Sequence, residues 1–121
     1  AKATKRNLKY YVVHTYSGTS LKSANSASHF LTLSAHAVDQ LRDRLNQPKT
    51  EVKTRSAAGR AQGIAMSFGK GRIVCLGEAA MLTAQVGGIN GNKIRIGMGA
   101  PENDNRRLAL NIMRWLAGST R

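Results

Sequence analysis

In GKGRIVCLGEAAMLTAQ, residues 69–85, an apolar run ends at Gly77 and a carboxylate follows at once, Glu78. In open α/β folds ligands gather at the carboxyl ends of strands, so Glu78 is the leading candidate for a ligand or hydrolase site. An acid in the first turn of a helix is also favoured by the helix dipole, a purely structural role. Gln85, at the far end of the helix expected after Glu78, and Asn103, Asp104 and Asn105, ahead of a later helix, can converge on the same rim; helix capping is their competing role.

The other chemistry-bearing residues form no recognisable pattern. His14, His29 and His36 are widely spaced, and one cysteine excludes both an intramolecular disulfide and a zinc-finger ligand set. Cys75, between Val74 and Leu76, is expected to be buried and inert. Ser17, Thr19 and Ser20 surround Gly18 as turn formers, and no G-x-S-x-G nucleophile motif occurs. GGINGN lacks the spacing and the following Lys-Ser/Thr of a phosphate-binding loop. Neither a metal nor a cofactor is expected.

Charge is the most unusual bulk property. Nineteen Lys and Arg stand against six Asp and Glu, a formal net charge of +13, with a pI near 11.0. Polyanions therefore enter as partners. The excess is spread over both halves, with one dense cluster at Lys2, Lys5, Arg6 and Lys9, read either as a mobile basic segment over 1–9 or as a phosphate-contacting arm. Arg106, Arg107 and Arg114 add a basic helix face. There is no run of about 18 apolar residues to cross a bilayer, so the chain is expected to be soluble and cytoplasmic, with no membrane partner.

The elements that must position these residues are read from periodicity. A length of 121 residues suits one domain with one modest core. LKYYVVHTY (8–16) reads as a strand and 19–28 as a loop. HFLTLS (29–34) alternates as a half-buried strand does, and Val38, Leu41 and Leu45 stand at helical offsets. AQGIAMSF and GRIVCL, joined by Gly69-Lys70, predict an antiparallel hairpin whose second arm is buried on both faces. Residues 86–99 predict an exposed glycine-rich loop or small ribbon. In NRRLALNIMRWLA, Leu108, Ile112, Trp115 and Leu116 form a helical apolar stripe, with Asp104 as cap and Gly118 as stop.

Two strings, AAGRAQGIAMSFGKGRIVCLGEAAMLTAQ and DNRRLALNIMRWLAG, together resemble the C-terminal part of class I glutamine amidotransferase-like domains of the non-catalytic, poorly characterised kind. The resemblance extends from about Val12 onward. It implies an α/β fold, a small flavodoxin-like or half-flavodoxin-like sheet carrying a β-hairpin and a C-terminal helix. The family's N-terminal half has no counterpart here, which implies uncovered sheet edges and hence a homodimer. The cysteine nucleophile on a strand-to-helix elbow and the His-x-Glu pair of active amidotransferases are not matched: Cys75 lies within a strand, before Gly77. The function expected is a non-enzymatic binding or assembly module, with a nucleic-acid-associated basic protein as the alternative.

Overall fold

The Gly69-Lys70 turn forms as the sequence requires. In the computed structural model, which describes residues 11–23, 27–41, 52–88 and 90–119, Gly69 adopts φ 57°, the positive value that the first central position of a type II′ hairpin turn needs. It joins β4 (Ala61–Phe68) to β5 (Gly71–Leu76), with Phe68 opposite Gly71 and Ile64 opposite Cys75. On the other side β4 pairs antiparallel with β1 (Ser28–Thr32), giving a three-stranded sheet ordered β1-β4-β5. Gly63 sits in β4 where a Cβ would collide with the Phe30 ring, so the absence of a side chain lets that ring approach the strand closely.

Two further ribbons complete the strands. β2 (Val38–Leu41) pairs with β3 (Lys53–Ser56), and β6 (Ala84–Gly87) pairs with β7 (Ile94–Gly97). In the second ribbon Asn90 and Gly91 both take positive φ, 56° and 80°, as an Asn-Gly turn does. A 3-10 turn over Ala80–Leu82 precedes β6, and α1 (Asn105–Leu116) closes the chain. At its end Gly118 takes φ 76°; its N–H donates to the Trp115 carbonyl and that of Ser119 to the Arg114 carbonyl, a Schellman motif.

The chain divides into two compact units: one spans Ser17–Glu78, and the other joins the residues up to Tyr16 to those from Ala79 onward. The first holds β1 to β5. The second holds the 3-10 turn, the β6–β7 ribbon and α1, whose Leu108, Ile112 and Trp115 are half-buried while Leu116 is exposed. Among the described residues the fully buried apolar side chains are Ala57, Ala61 and Met81, and the buried polar ones are Ser20, Gln62, Glu78 and Asn105. With polar groups so prominent in the interior, hydrogen bonds do much of the positioning.

Several expectations are corrected. Every strand pair among the described residues is antiparallel, so the flavodoxin-like or half-flavodoxin-like sheet is not formed. Parallel strands need helical crossovers, and the one described helix comes after all the strands. Residues 11–16 form no strand. Val38 to Leu41 is strand rather than helix, because the β3 ladder and the Asp39 side-chain bonds described below outweigh its helical spacing. The remainder of that expected helix, residues 42–48, and the basic segment 1–9 lie outside the described residues. β5 is an edge strand, not a doubly buried one, and leaves Ile73 and Cys75 exposed. No α-helix follows Glu78: a three-residue 3-10 turn leads directly into β6, so the dipole argument does not apply there.

Candidate functional site

The most connected polar cluster in the Ser17–Glu78 unit centres on Asp39. The β2–β3 ladder sets Asp39 opposite Arg55, and adjacent residues of a ladder pair project to the same face. Arg55 donates from one terminal nitrogen to Asp39 Oδ2 at 2.8 Å, completing an ion pair. Ser20 donates its hydroxyl to Oδ2 at 2.5 Å and its backbone N–H to Oδ1 at 3.0 Å. Arg60 in turn donates Nε–H to Ser20 Oγ at 2.5 Å and a weaker bond to the Ser20 carbonyl at 3.4 Å. The result is a chain of contacts, Arg55 to Asp39 to Ser20 to Arg60.

The electrostatics follow from those partners. The Ser20 hydroxyl bond, then the Arg55 bond and the Ser20 N–H, hold the Asp39 carboxyl down at about 2. A carboxylate held that acidic stays ionised near neutral pH and serves as a fixed acceptor for Ser20 and Arg55. The chemistry this cluster supports is orientation of cations. Its geometry is asymmetric: the Asp39 side chain is 9% exposed and that of Arg55 is 52% exposed, so the anion faces inward and its cationic partner outward.

Beside the cluster lies an open cleft of about 800 Å³ whose polar lining comes from Ser17, Ser20, Asp39, Gln40 and Gln62. Gln62 donates to the Ser17 carbonyl at 2.8 Å, and Gly18, at φ 113°, packs so closely on Gly77 and Glu78 that a Cβ would collide with both. Gly77 is equally constrained: a Cβ there would strike the Thr19 carbonyl oxygen, and the Thr19 N–H donates to the Gly77 carbonyl at 2.9 Å. Glu78 is buried at this junction, packed against Gly18.

The other expected site residues belong to the second unit. Gln85 lies on β6, exposed, opposite Ile96. Asn103, Asp104 and Asn105 are brought together, but each is occupied. Asn103 donates to the Gly97 and Ala100 carbonyls, both at 3.1 Å, and its Oδ1 accepts the Asn105 N–H at 3.0 Å. Asp104 stands at the cap position of α1 without a side-chain capping bond; its Oδ2 accepts the Val12 N–H at 3.0 Å, and its own N–H donates to the Val12 carbonyl at 2.7 Å. Asn105, fully buried, accepts from the His14 N–H at 2.9 Å and donates to the carbonyls of His14 at 2.9 Å and Met81 at 3.0 Å. The Asp104-Asn105 pair thus supplies the extended 12–14 segment with the backbone partners a neighbouring strand would have supplied.

Of the expected phosphate contacts, Arg106, Arg107 and Arg114 are exposed on α1, and the Arg107 guanidinium lies 4.5 Å from the centre of the Tyr11 ring. Lys2, Lys5, Arg6 and Lys9 lie outside the described residues. Cys75, expected to be buried, is exposed on the edge strand β5. His29 shares a 2.5 Å hydrogen bond between Nε2 and Ser23 Oγ. Among the described residues no three His, Cys, Asp or Glu side chains group to hold a metal, and no helix is long and apolar enough to cross a membrane.

Sequence reasoning missed Ser20, Asp39, Arg55, Arg60 and Gln62, which are up to 42 positions apart. The one signal was Asp39 itself, one of only six acids in a chain of 19 bases. Comparison with family models, curated proteins and solved structures gave no match.

Proposed function

We propose that this protein is a non-enzymatic binding module whose partners are nucleic-acid phosphates. The observation that carries the reading is the +13 formal charge, combined with exposure of basic side chains in both units, Lys53 and Arg55 in one and Arg95, Arg106 and Arg114 in the other. Such a surface gathers polyanions by counterion release, which is independent of sequence and weakens steeply with salt. The test is fluorescence anisotropy of a labelled DNA duplex from 50 to 200 mM salt. Affinity that falls over this range by several orders of magnitude supports the reading; absence of binding at 50 mM salt sinks it.

A second reading, assembly of two copies, is favoured by a separate observation. β5 ends the three-stranded sheet, and close to it Phe68 is 69% exposed and Ile73 38% exposed. An edge strand with apolar neighbours pairs readily with a second strand, and the most economical source is a twin chain about a two-fold axis. The membership in the amidotransferase-like group suggested by the two resembling strings belongs to this reading, as a non-catalytic and cytoplasmic assembly module. Light scattering at low and high salt tests it: a salt-insensitive dimer supports it, and a monomer at both salts overturns it.

A further inference from the structure

Resting on the nucleic-acid reading, we propose that the β2–β3 ribbon is the element that contacts the duplex, through Lys53 and Arg55. Four observations converge on it. Among the described residues no strand pairs with the outer side of β3, and all four of its residues, Lys53 to Ser56, are exposed. Lys53 and Arg55 are two apart on one strand, so they share a face and stand about 6.8 Å apart at 3.4 Å per residue. Both cations therefore face the same way, toward a duplex whose strands each carry one phosphate charge per about 3.4 Å of helix axis. A two-stranded antiparallel ribbon also has the cross-section that the major groove admits.

The third observation is that Arg55 is pre-oriented. Its bond to Asp39, which Ser20 holds from the other side, fixes the guanidinium while leaving half of its side chain in solvent. A guanidinium has five donors, of which this bond uses one, so donors remain for phosphate. A cation already held in place loses less side-chain entropy on binding than a free one. The fourth is that the charge of the carboxylate opposite Arg55 is offset: its side chain is 9% exposed, and it accepts bonds at both oxygens, one of them from Arg55 itself. Arg60 acts as a positioning residue, holding the Ser20 hydroxyl that holds Asp39.

The test compares Lys53→Gln, Arg55→Gln and, as a control of equal charge change at the β4–β5 turn, Lys70→Gln, each titrated against a labelled DNA duplex over a salt series. The slope of log affinity against log salt falls by about 0.9 for each phosphate contact removed. The expected result is that Lys53→Gln and Arg55→Gln each flatten the slope by about that amount while Lys70→Gln leaves it at the wild-type value. If the wild-type chain binds but all three variants keep one slope, the ribbon assignment is overturned and the nucleic-acid reading survives. A wild-type chain that does not bind overturns both. Should Arg55→Gln unfold for want of its ion pair, the Lys53→Gln slope decides the question, because Lys53 is an exposed ladder residue.

Discussion

Each unit of this molecule fastens an irregular segment with one polar side chain from a regular element, and the two solutions differ in charge and burial. In the second unit Asn105, fully buried and neutral, holds residue 14 through bonds to both its N–H and its carbonyl, and holds Met81 through a third. In the Ser17–Glu78 unit Asp39, ionised and with its side chain 9% exposed, holds Ser20 and is held by Arg55. A primary amide brings one acceptor and two donors, which matches one N–H and two carbonyls without moving a charge out of water. A carboxylate brings only acceptors, so it requires donors around it and a cation to offset its charge. The amide therefore makes a pH-independent fastening, whereas the carboxylate makes one that depends on pH and leaves a cation facing solvent.

The largest effect should come from breaking the buried amide. Asn105→Ala removes three bonds and leaves the His14 N–H and two carbonyls without their partner, a loss of about 3 kcal/mol when unsatisfied buried groups cost 1–3 each and some regain water. Urea unfolding would show it as a lower midpoint with an unchanged slope. Asn105→Asp sharpens the comparison by installing the other unit's chemistry in the wrong place. Its oxygens would face the His14 and Met81 carbonyls, so this variant should be less stable than Asn105→Ala at neutral pH and regain stability on acidification, as protonation restores one donor. A variant whose stability did not change with pH would mean that the site opens to water.

Next in size is a steric break in the Ser17–Glu78 unit. Gly77→Ala would drive a methyl group into the Thr19 carbonyl oxygen, contacting backbone that has no side-chain freedom to yield. The expected loss is about 2 kcal/mol, in the range for overpacking, measurable by thermal unfolding. Gly59→Ala is the matched comparison, since a Cβ there meets nothing and only its φ of 67° penalises it; that cost should be about 1 kcal/mol. Equal losses in the two variants would contradict the close approach at Gly77.

The pH dependence of the Asp39 fastening is a smaller effect with a definite sign. Its folded-state pKa, about 2, lies below the ordinary value of 3.8. The stability it contributes is therefore complete above about pH 4 and is lost as the pH falls through 2. Asp39→Asn should remove that acid-limb loss, seen as a flatter stability curve between pH 4 and 2. The smallest effect belongs to Arg55→Lys, which keeps the charge at a half-exposed site and should change stability by under about 1 kcal/mol. A larger loss would show that the guanidinium does more than pair with Asp39.

Legibility in the sequence followed the range of the interactions. The β4–β5 hairpin was readable because Gly69-Lys70, one alternating apolar run and one continuous apolar run lie within 16 residues. Helix α1 was readable from its stripe and from Gly118, whereas 86–99 read as an exposed loop or small ribbon and the start of β6, Ala84 and Gln85, fell in the helix expected after Glu78. Residues 38–41 were misread because Val38 and Leu41 fit a helix locally, and nothing nearby reveals that Asp39 is drawn to Ser20 and Arg55. Cys75 was misread for the same reason: four consecutive apolar residues indicate a strand, but not whether the strand lies at the centre or edge of its sheet. The flavodoxin-like architecture came from resemblance alone and failed at strand direction, which depends on connections and not on any one segment.

By itself, then, the amino-acid sequence determined the large positive charge, the Gly69-Lys70 hairpin turn and the amphipathic closing helix, since charge is a sum over residues and these elements are set by contacts between near neighbours. Only the tertiary structure decided that Asn105 holds residue 14 across 91 positions and that Asp39 gathers Ser20, Arg55 and Arg60. Those groupings arise when the chain closes on itself and each buried donor and acceptor must find a partner, wherever along the sequence that partner lies.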